Sequence, residues 1–598
     1  MKYWSISTTV RNPDRIPEFL KAAEPVLGLP WTDETMVRYI CELIRRRLYE
    51  PLNLSDAQRS LFEDFDTELT IEEAKEIFDS KEYVDPPMRG RTAIAPLRDL
   101  GLLVLSPEVQ LTKLGEDLNL EKISLQDVLI NYNLKWEVPT PEHTSYRHGE
   151  GWNIKPFVGT LALIQRVNEK WEELGNNSVG VSREEFNIYA PTLIDFEYIE
   201  LFAQRIVDAR LARANAIGAG AKQAAMNSAI QGHLSTLPHG DGIVTDKDLS
   251  NLNDYGDNLI RYFRKTGYIE FRGEGRYVDI SQTSLIQVAL LIENKLYTPM
   301  GYPSADAYRS SISDVNSFIP PWATPSKLGE VKDYLRGVLH DEDSGYVVNQ
   351  ASGKKLVNPI RGEDEEIVKL KVAIRDVKLA KLKAQSKSAD FLSNVIAEYT
   401  ELLKRDYSGY LPKPVALEFN AYKTFLAFND AVGVSPNYPI GDDGEPLSTA
   451  PGGGTDLHCV YEDFELSVEV TMSSGRNQWV MEGQPVQRHL RDLENDSDKE
   501  VFGLFLAPRL YPDTVNTFWI SNVISYEGRK QKIVPFDFDT WTKLLELIKT
   551  RISAGSIDRK WLRNLLDISL PNQDEQSDST LWLARIRSAE FLQLVSDS

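Results

Sequence analysis

Apolar positions divide the chain into two regimes. Through residue 388 they recur mainly at helical spacing, interrupted by short strand-like runs; from 389 onward longer apolar runs alternate with helices, an α/β pattern. In the first regime, PPMRGRTAIAPLRDLGLLVLSPEVQLTKLGEDL (86–118) begins as a short helix. It reaches Gly101, a residue suited to a helix stop, then gives two short strands, LLVL and VQLT, about Ser106–Pro107, and a new helix. DYGDNLIRYFRKTGYIEFRGEGRYVDIS (254–281) repeats the phrase: a helix to Gly267, then YIEF and RYVDI about a GEG turn. Helix, hairpin, helix is the layout of a winged helix-turn-helix. Between the two, WNIKPFVGTLALIQRVNEKWEEL (152–174) predicts an amphipathic helix. VSREEF (181–186) predicts a capped one, with Ser182 at N-cap and Glu185 three residues on.

The stretch 289–388 reads as a connector. GYPSADAYRSSISDVNSFIPPWATPSKL is rich in Pro and Ser, and IVKLKVAIRDVKLAKLKAQSKS (367–388) has helical periodicity with Lys369, Lys371, Arg375, Lys378, Lys381, Lys383 and Lys387. That basic run is either the solvated face of a linker helix or a surface lying near a phosphate backbone. Beyond it, DFLSNVIAEYTELLKR and ALEFNAYKTFLAFNDAVG (416–433) predict helices, and LHCVY and ELSVEVTMS predict strands about a tight EDF turn. VFGLFLAP (501–508) is a nearly continuous apolar run, as expected of a strand buried on both faces. KIVPF (532–536) and the helix FDTWTKLLELIKTRI follow. The expected organisation is multidomain α+β: two winged-helix-like units (1–150 and 151–288), a helical linker (289–388) and an α/β domain (389–598).

Composition narrows the function. A chain of 598 residues exceeds one hydrophobic core. The two cysteines, Cys41 and Cys459, are far apart, which excludes a disulfide framework or a cysteine-rich zinc site and points to a reducing cytoplasm. The opening MKYWSISTTVRNPDRIPEF lacks the apolar run of a signal peptide, and LIQVALLI (285–292) is too short to span a bilayer, so no membrane partner is expected. The net charge of −22 weighs against a nucleic-acid partner. Binding, however, depends on where charge lies. Arg91 and Arg98 precede the first hairpin and Arg261 and Arg264 the second, which makes these four the candidate DNA contacts.

The chemistry concentrates in GTDLHCVYEDFELSVEVTMSSGRNQWVMEGQPVQRHL (454–490). Asp456 opens one strand and Glu469 lies well into the next, so antiparallel pairing brings both to one end of the sheet. A carboxylate among the β-branched residues of SVEVT is costly unless paired or coordinated. With the backbone carbonyl of Val470, the two carboxylates form an oxygen set suited to Mg²⁺, the ion that phosphodiester hydrolysis uses. Glu482 and His489, seven residues apart, share a helix face. Pro485 fits the first turn of a helix beginning near Gly483, and Glu418 on the preceding helix offers one more carboxylate. Against this stands the reading in which each is a surface charge and the histidine is structural.

The phrases YEDF (461–464), EVT (469–471), QWVMEGQPVQRHL (478–490) and LFLAP (504–508), with RYFRKTG (261–267) and RTAIAPLRDLGLL (91–103), resemble the AlwI family of type IIS restriction endonucleases. The resemblance implies an N-terminal recognition region of helix-turn-helix subdomains, a linker and a C-terminal PD-(D/E)XK-type nuclease domain. It implies an Mg²⁺-dependent enzyme of a prokaryotic cytoplasm that cuts double-stranded DNA at a fixed distance from a short asymmetric sequence. Second-strand cleavage would come from a transient homodimer or a small partner subunit, and nicking of one strand is the other outcome. Glu418, Asp456, Glu469, Glu482 and His489 carry over as the active-site set. The sequence departs from the general nuclease pattern at Thr455, where a proline usually precedes the aspartate, and at Thr471, where the motif has a lysine. His489 is the residue expected to take over that lysine's work on water. The rival from another class is a DNA-binding regulator with an inactive nuclease-like domain.

Overall fold

The computed structural model describes the chain except for Met1, residues 64–68, 142–145, 147, 240–241, 274, 347–355, 406, 408, 429–430, 452, 526–527, 554–560, 573–575 and Ser598. It divides into two compact units: Met1–Ser55 with Glu68–Arg375, and Asp56–Thr67 with Asp376–Ser598. No helix among the described residues is long and apolar enough to cross a membrane.

In the first unit, α1 (Pro86–Asp99) starts where Asp85 accepts the Met88 N–H and Pro86 supplies the preset φ of a first turn. Past Gly101, whose φ of +73° ends the helix, strands β1 (Leu103–Val104) and β2 (Gln110–Leu111) pair antiparallel. Thr112 then caps α2 (Lys113–Asn119). The second phrase is larger. β3 (Val181–Ser182) leads into α3 (Arg183–Thr192) through the expected capping box of Ser182 and Glu185. α4 (Asp246–Arg264) stops before Gly267, φ +78°, and β4 (Ile269–Arg272) and β5 (Tyr277–Ile280) complete an antiparallel sheet of order β3-β5-β4. The GEG turn includes residue 274, outside the described residues. Phe157, from the helix Pro156–Glu173, meets Phe263 of α4 edge-on at 4.8 Å, and both are fully buried.

The stretch expected to act as a linker is folded, and as far as Arg375 it belongs to this unit. It carries the helices Ala305–Ser313 and Pro325–Glu342 and buries Trp322 and Leu335 completely. Its backbone is gripped by buried polar side chains. Asn131 donates to the Ile312 carbonyl at 2.7 Å, Lys135 to those of Ser311 and Asp314, and Glu137 accepts the Met300 and Gly301 N–H groups.

A buried histidine makes this unit sensitive to acid. His233, 2% exposed, lies between Tyr189 (4.1 Å) and Phe202 (4.6 Å), with Nε2 3.2 Å from Thr192 Oγ1 and Arg205 on Nδ1. Burial, and the Arg205 charge after it, push its pKa down to about 3. The unfolded chain binds this proton below about pH 6.5 while the folded chain does not, so stability is complete above that pH and falls between about 6.5 and 3. At pH 5 the expected loss is about 2 kcal/mol, and His233→Gln is expected to flatten the denaturation midpoint over this window. An equally steep acid loss in that variant would assign the effect elsewhere.

Apart from Asp56–Thr67, the second unit begins inside one helix, α5 (Glu365–Gln385), and continues through α6 (Ala389–Leu402) and α7 (Lys413–Phe428). Then come β6 (Gly433–Pro436), β7 (Leu457–Val460), β8 (Phe464–Val470), α8 (Arg476–Asp496), β9 (Glu500–Ala507), α9 (Pro512–Val523), β10 (Ile533–Asp537) and α10 (Phe538–Ser553). The sheet order is β10-β9-β8-β7-β6, parallel from β10 to β8 and antiparallel from β8 to β6. β9 is buried from Val501 to Ala507, as its apolar run requires. The run 416–433, expected as one helix, is divided: α7 ends at Phe428 and Gly433–Pro436 is an edge strand, where Pro436 costs no ladder bond.

Candidate active site

The hairpin of β7 and β8 sets the site. Val460 lies opposite Glu465 and Leu457 opposite Val468; the same register carried one residue further places Asp456 across from Glu469. The Val470 N–H donates to Asp456 Oδ2 at 2.8 Å, which fixes the aspartate at the end of the pair. Glu469 is buried between Val468 and Val470 on β8, itself flanked by β7 and β9. Helix α8 supplies Glu482 and His489. His489 Nδ1 is 2.9 Å from Glu469 Oε1, and Glu482 hydrogen-bonds Thr471. From α7, Glu418 accepts the Ala450 N–H at 2.7 Å.

Helix α8 begins seven residues earlier than Pro485 suggested, at Arg476, so the proline is interior. It removes the hydrogen bond to the Met481 carbonyl. Met481 is 45% exposed, so this turn of the helix faces solvent. The longer helix keeps Glu482 and His489 two turns apart on one continuous element.

Electrostatics tie the carboxylates together. Burial, then the charge of Asp456, pushes Glu418 up to about 9. Burial and the neighbouring Glu469 and Glu482 raise Asp456 well above the usual carboxylate range. Glu469 is raised by burial, Glu482 and Glu418, and Glu482 is raised chiefly by burial, with Thr471 opposing. No lysine or arginine among the described residues pairs with any of the four. Like charges packed this way need either protons or a cation, and an all-oxygen set favours a hard divalent one. Among the described residues no three acidic, histidine or cysteine side chains stand as a finished cage. Mg²⁺ needs none, because it is held by one or two carboxylates and completed by water and substrate phosphate. The residues fit the ion.

His489 is held below its ordinary range by burial and by Arg488. With Glu469 ionised, its carboxylate accepts from Nδ1, and the neutral imidazole then has a bare Nε2. That nitrogen is buried and has no hydrogen-bond partner among the described residues.

Three further residues support the site; Thr455 stands out in the sequence as a departure from the nuclease pattern, and the other two carry little signal. Gln478, fully buried, donates to the Ser473 and Arg509 carbonyls (2.9 and 2.8 Å) and accepts the Tyr511 N–H (2.8 Å), pinning the entry to α8. Thr455 Oγ1 accepts from Ser467 at 2.9 Å, stitching β7 to β8, and its own proton lies between the Leu457 and Val468 carbonyls at 2.9 and 3.1 Å. Ala450 presents its N–H to Glu418 from a loop. Their partners are set by the fold rather than by spacing.

The four arginines singled out as DNA contacts lie in the first unit and differ from one another. Arg91 is exposed and pairs with Asp85 at 3.0 Å; Arg261 is half-exposed and pairs with Asp257 at 2.7 Å. Arg98 holds Asp99 at 2.7 Å. Arg264 departs from expectation: it is 6% exposed, with its guanidinium 4.5 Å over the Phe271 ring, so it packs against the hairpin instead of facing solvent.

A buried cluster of carboxylates with one histidine, at the end of a mixed sheet, is the kind of centre that hydrolyses phosphodiesters with a divalent cation. The model of the AlwI restriction endonuclease family matches residues 98–544, from the end of α1 into α10, and takes in all five site residues. The chain belongs to that family and is a restriction endonuclease, a nuclease whose substrate is DNA. Among solved structures it is similar to the small subunit (R.BspD6I2) of the heterodimeric restriction endonuclease R.BspD6I, at 23% identity and a TM-score of 0.28, over 32% of this chain and 97% of that one. No curated protein matches the chain.

Proposed function

We propose that this restriction endonuclease is of type IIS, hydrolysing DNA at a fixed distance from a short asymmetric sequence. The observation that carries the reading is a division of labour. Both helix–hairpin units lie in the first compact unit, whereas Glu418, Asp456, Glu469, Glu482 and His489 converge in the second. An enzyme that reads with one body and cuts with another separates its cut from its bases.

In this reading the first unit holds two winged-helix-like readers, with α1 and α4 presented to the duplex and Arg91, Arg98 and Arg261 as contacts. The second is a PD-(D/E)XK-type nuclease. Asp456, Glu469 and the Val470 carbonyl would hold Mg²⁺, with Glu482 beside them; the bound ion supplies charge stabilisation at the phosphate and a more acidic water. His489 Nε2 takes the proton from the attacking water, while Glu469 fixes the imidazole through Nδ1. Thr471, in place of the motif lysine, orients Glu482. One such site cuts one strand. Double-strand cleavage then draws on a transient homodimer or a small partner subunit, and without one the product is a nick.

Supercoiled plasmid incubated with and without Mg²⁺, with ends mapped on each strand, tests this. Discrete Mg²⁺-dependent ends at one offset from a common sequence are expected. Specific binding with no cut under any divalent cation would favour the DNA-binding regulator.

A further inference from the structure

The first unit has a half-open cavity of about 580 Å³ that the cleavage chemistry does not use. Ligand pockets run from about 300 to 1,000 Å³. The N-terminal segment 2–9 forms much of its wall, and both elements proposed to read DNA contribute to it. α1 contributes Arg98 and Asp99, α4 contributes Tyr255, and Tyr132, Trp136 and Tyr308 also line it.

The lining has the chemistry of a heteroaromatic site. Tyr132 and Trp136 stack with ring centroids 5.5 Å apart and planes 16° from parallel, and Tyr3 and Tyr255, also in the lining, meet at 5.4 Å. Such faces take a flat ring irrespective of its identity. Arg98 Nε and a terminal nitrogen donate to one oxygen of Asp99 at 3.0 and 2.7 Å, which places a fixed donor beside an acceptor. A base edge offers the matching pair of groups. The Tyr132 hydroxyl, raised by burial and by Tyr308 and Asp99, stays protonated and remains a donor.

We propose that this cavity receives a nucleobase swung out of the duplex contacted by α1 and α4. The inference rests on the DNA-reading role proposed for those helices. A flipped base leaves its partner and its stack, and aromatic faces together with edge hydrogen bonds offset that loss. One position of the site would then be read inside the protein and not in a groove.

A mismatch scan of the wild-type enzyme tests this. Duplexes carrying the sequence defined by the mapped cuts are bound in EDTA, with one mismatch moved through the site and its flanks, and affinity is read by anisotropy. Weak pairing lowers the cost of extrusion, so one position is expected to bind about tenfold more tightly when mismatched, while mismatches at the other read positions weaken binding. Ala95 lines the cavity, and Ala95→Trp, which fills it, is expected to abolish that gain. If the variant does not fold, the wild-type scan decides alone. No position that gains, with the matched duplex still preferred over random sequence, overturns the cavity proposal and leaves the DNA reading standing. A matched duplex bound no better than random sequence overturns the reading itself. Quenching of tryptophan fluorescence by free nucleoside monophosphates, without any gaining position, would make the ligand a free nucleotide and overturn the duplex as its source.

Discussion

Glu469→Ala is expected to reduce DNA cleavage by at least roughly 1,000-fold, the upper end of what one preorganised electrostatic contact is worth, while DNA affinity measured in EDTA changes less than about threefold. Glu469 has two roles: it is one of the oxygens proposed for the cation, and it fixes His489 through Nδ1. Glu469→Gln separates them, because the amide oxygen still accepts from the imidazole but the charge is gone. If the charge matters more, Gln is as inactive as Ala; if the imidazole's orientation matters more, Gln recovers a large part of the rate. A second readout does not depend on turnover. Burial with Glu482 and Glu418 raises Glu469, so at neutral pH in the absence of metal the cluster is electrostatically crowded. Removing one carboxylate should leave the metal-free protein at least as stable as the wild type and abolish the rise in melting temperature that Mg²⁺ gives the wild type. A variant that still cuts at wild-type rate would remove Glu469 from the chemistry. A variant that loses DNA binding together with cleavage would undo the division between reading and cutting.

The second unit is more legible in the sequence than the first, for physical reasons. ELSVEV and VFGLFLA declare themselves because a strand buried on both faces has little choice of composition. The turn between LHCV and FELSVEV then sets the register that places Asp456 opposite Glu469. The start of α8 is hidden because Pro485 looks like a first-turn residue, and only the exposure of Met481 tells why an interior proline is tolerated. Residues 289–375 look like a connector because Pro and Ser mark turns, but composition does not reveal that Asn131, Lys135 and Glu137, more than 160 residues away in the chain, bind their backbone. Arg264 was within reach of pattern alone. It lies four residues after Ile260, on the core face of α4, whereas Arg261 lies four after Asp257 and pairs with it.

Glu185→Ala is expected to destabilise the first unit by about 3–5 kcal/mol, a large share of the roughly 5–15 kcal/mol that holds a domain folded. Glu185 is 2% exposed and binds Arg210 through both carboxylate oxygens, at 2.9 and 2.6 Å. The same carboxylate closes the capping box of α3 by accepting the Ser182 N–H at 2.6 Å. Arg210, on the helix Ile199–Asn215, also donates to the Gly180 carbonyl at 2.7 Å and lies 5.5 Å from the Trp171 ring. One ion pair therefore joins α3, the residue before β3 and two further helices behind the β3-β5-β4 sheet. Removing the carboxylate leaves a guanidinium buried without its counter-charge, which costs far more than the pair contributes net. The double change Glu185→Leu with Arg210→Met removes both charges and should recover most of the lost stability, leaving mainly the cap defect of about 1 kcal/mol. Denaturant midpoints of the wild type, the single and the double variants measure the difference. A single variant that loses under about 1 kcal/mol would mean that water reaches the pair. A double variant no better than the single would place the cost in the cap and in the packing around it instead of in the buried charge.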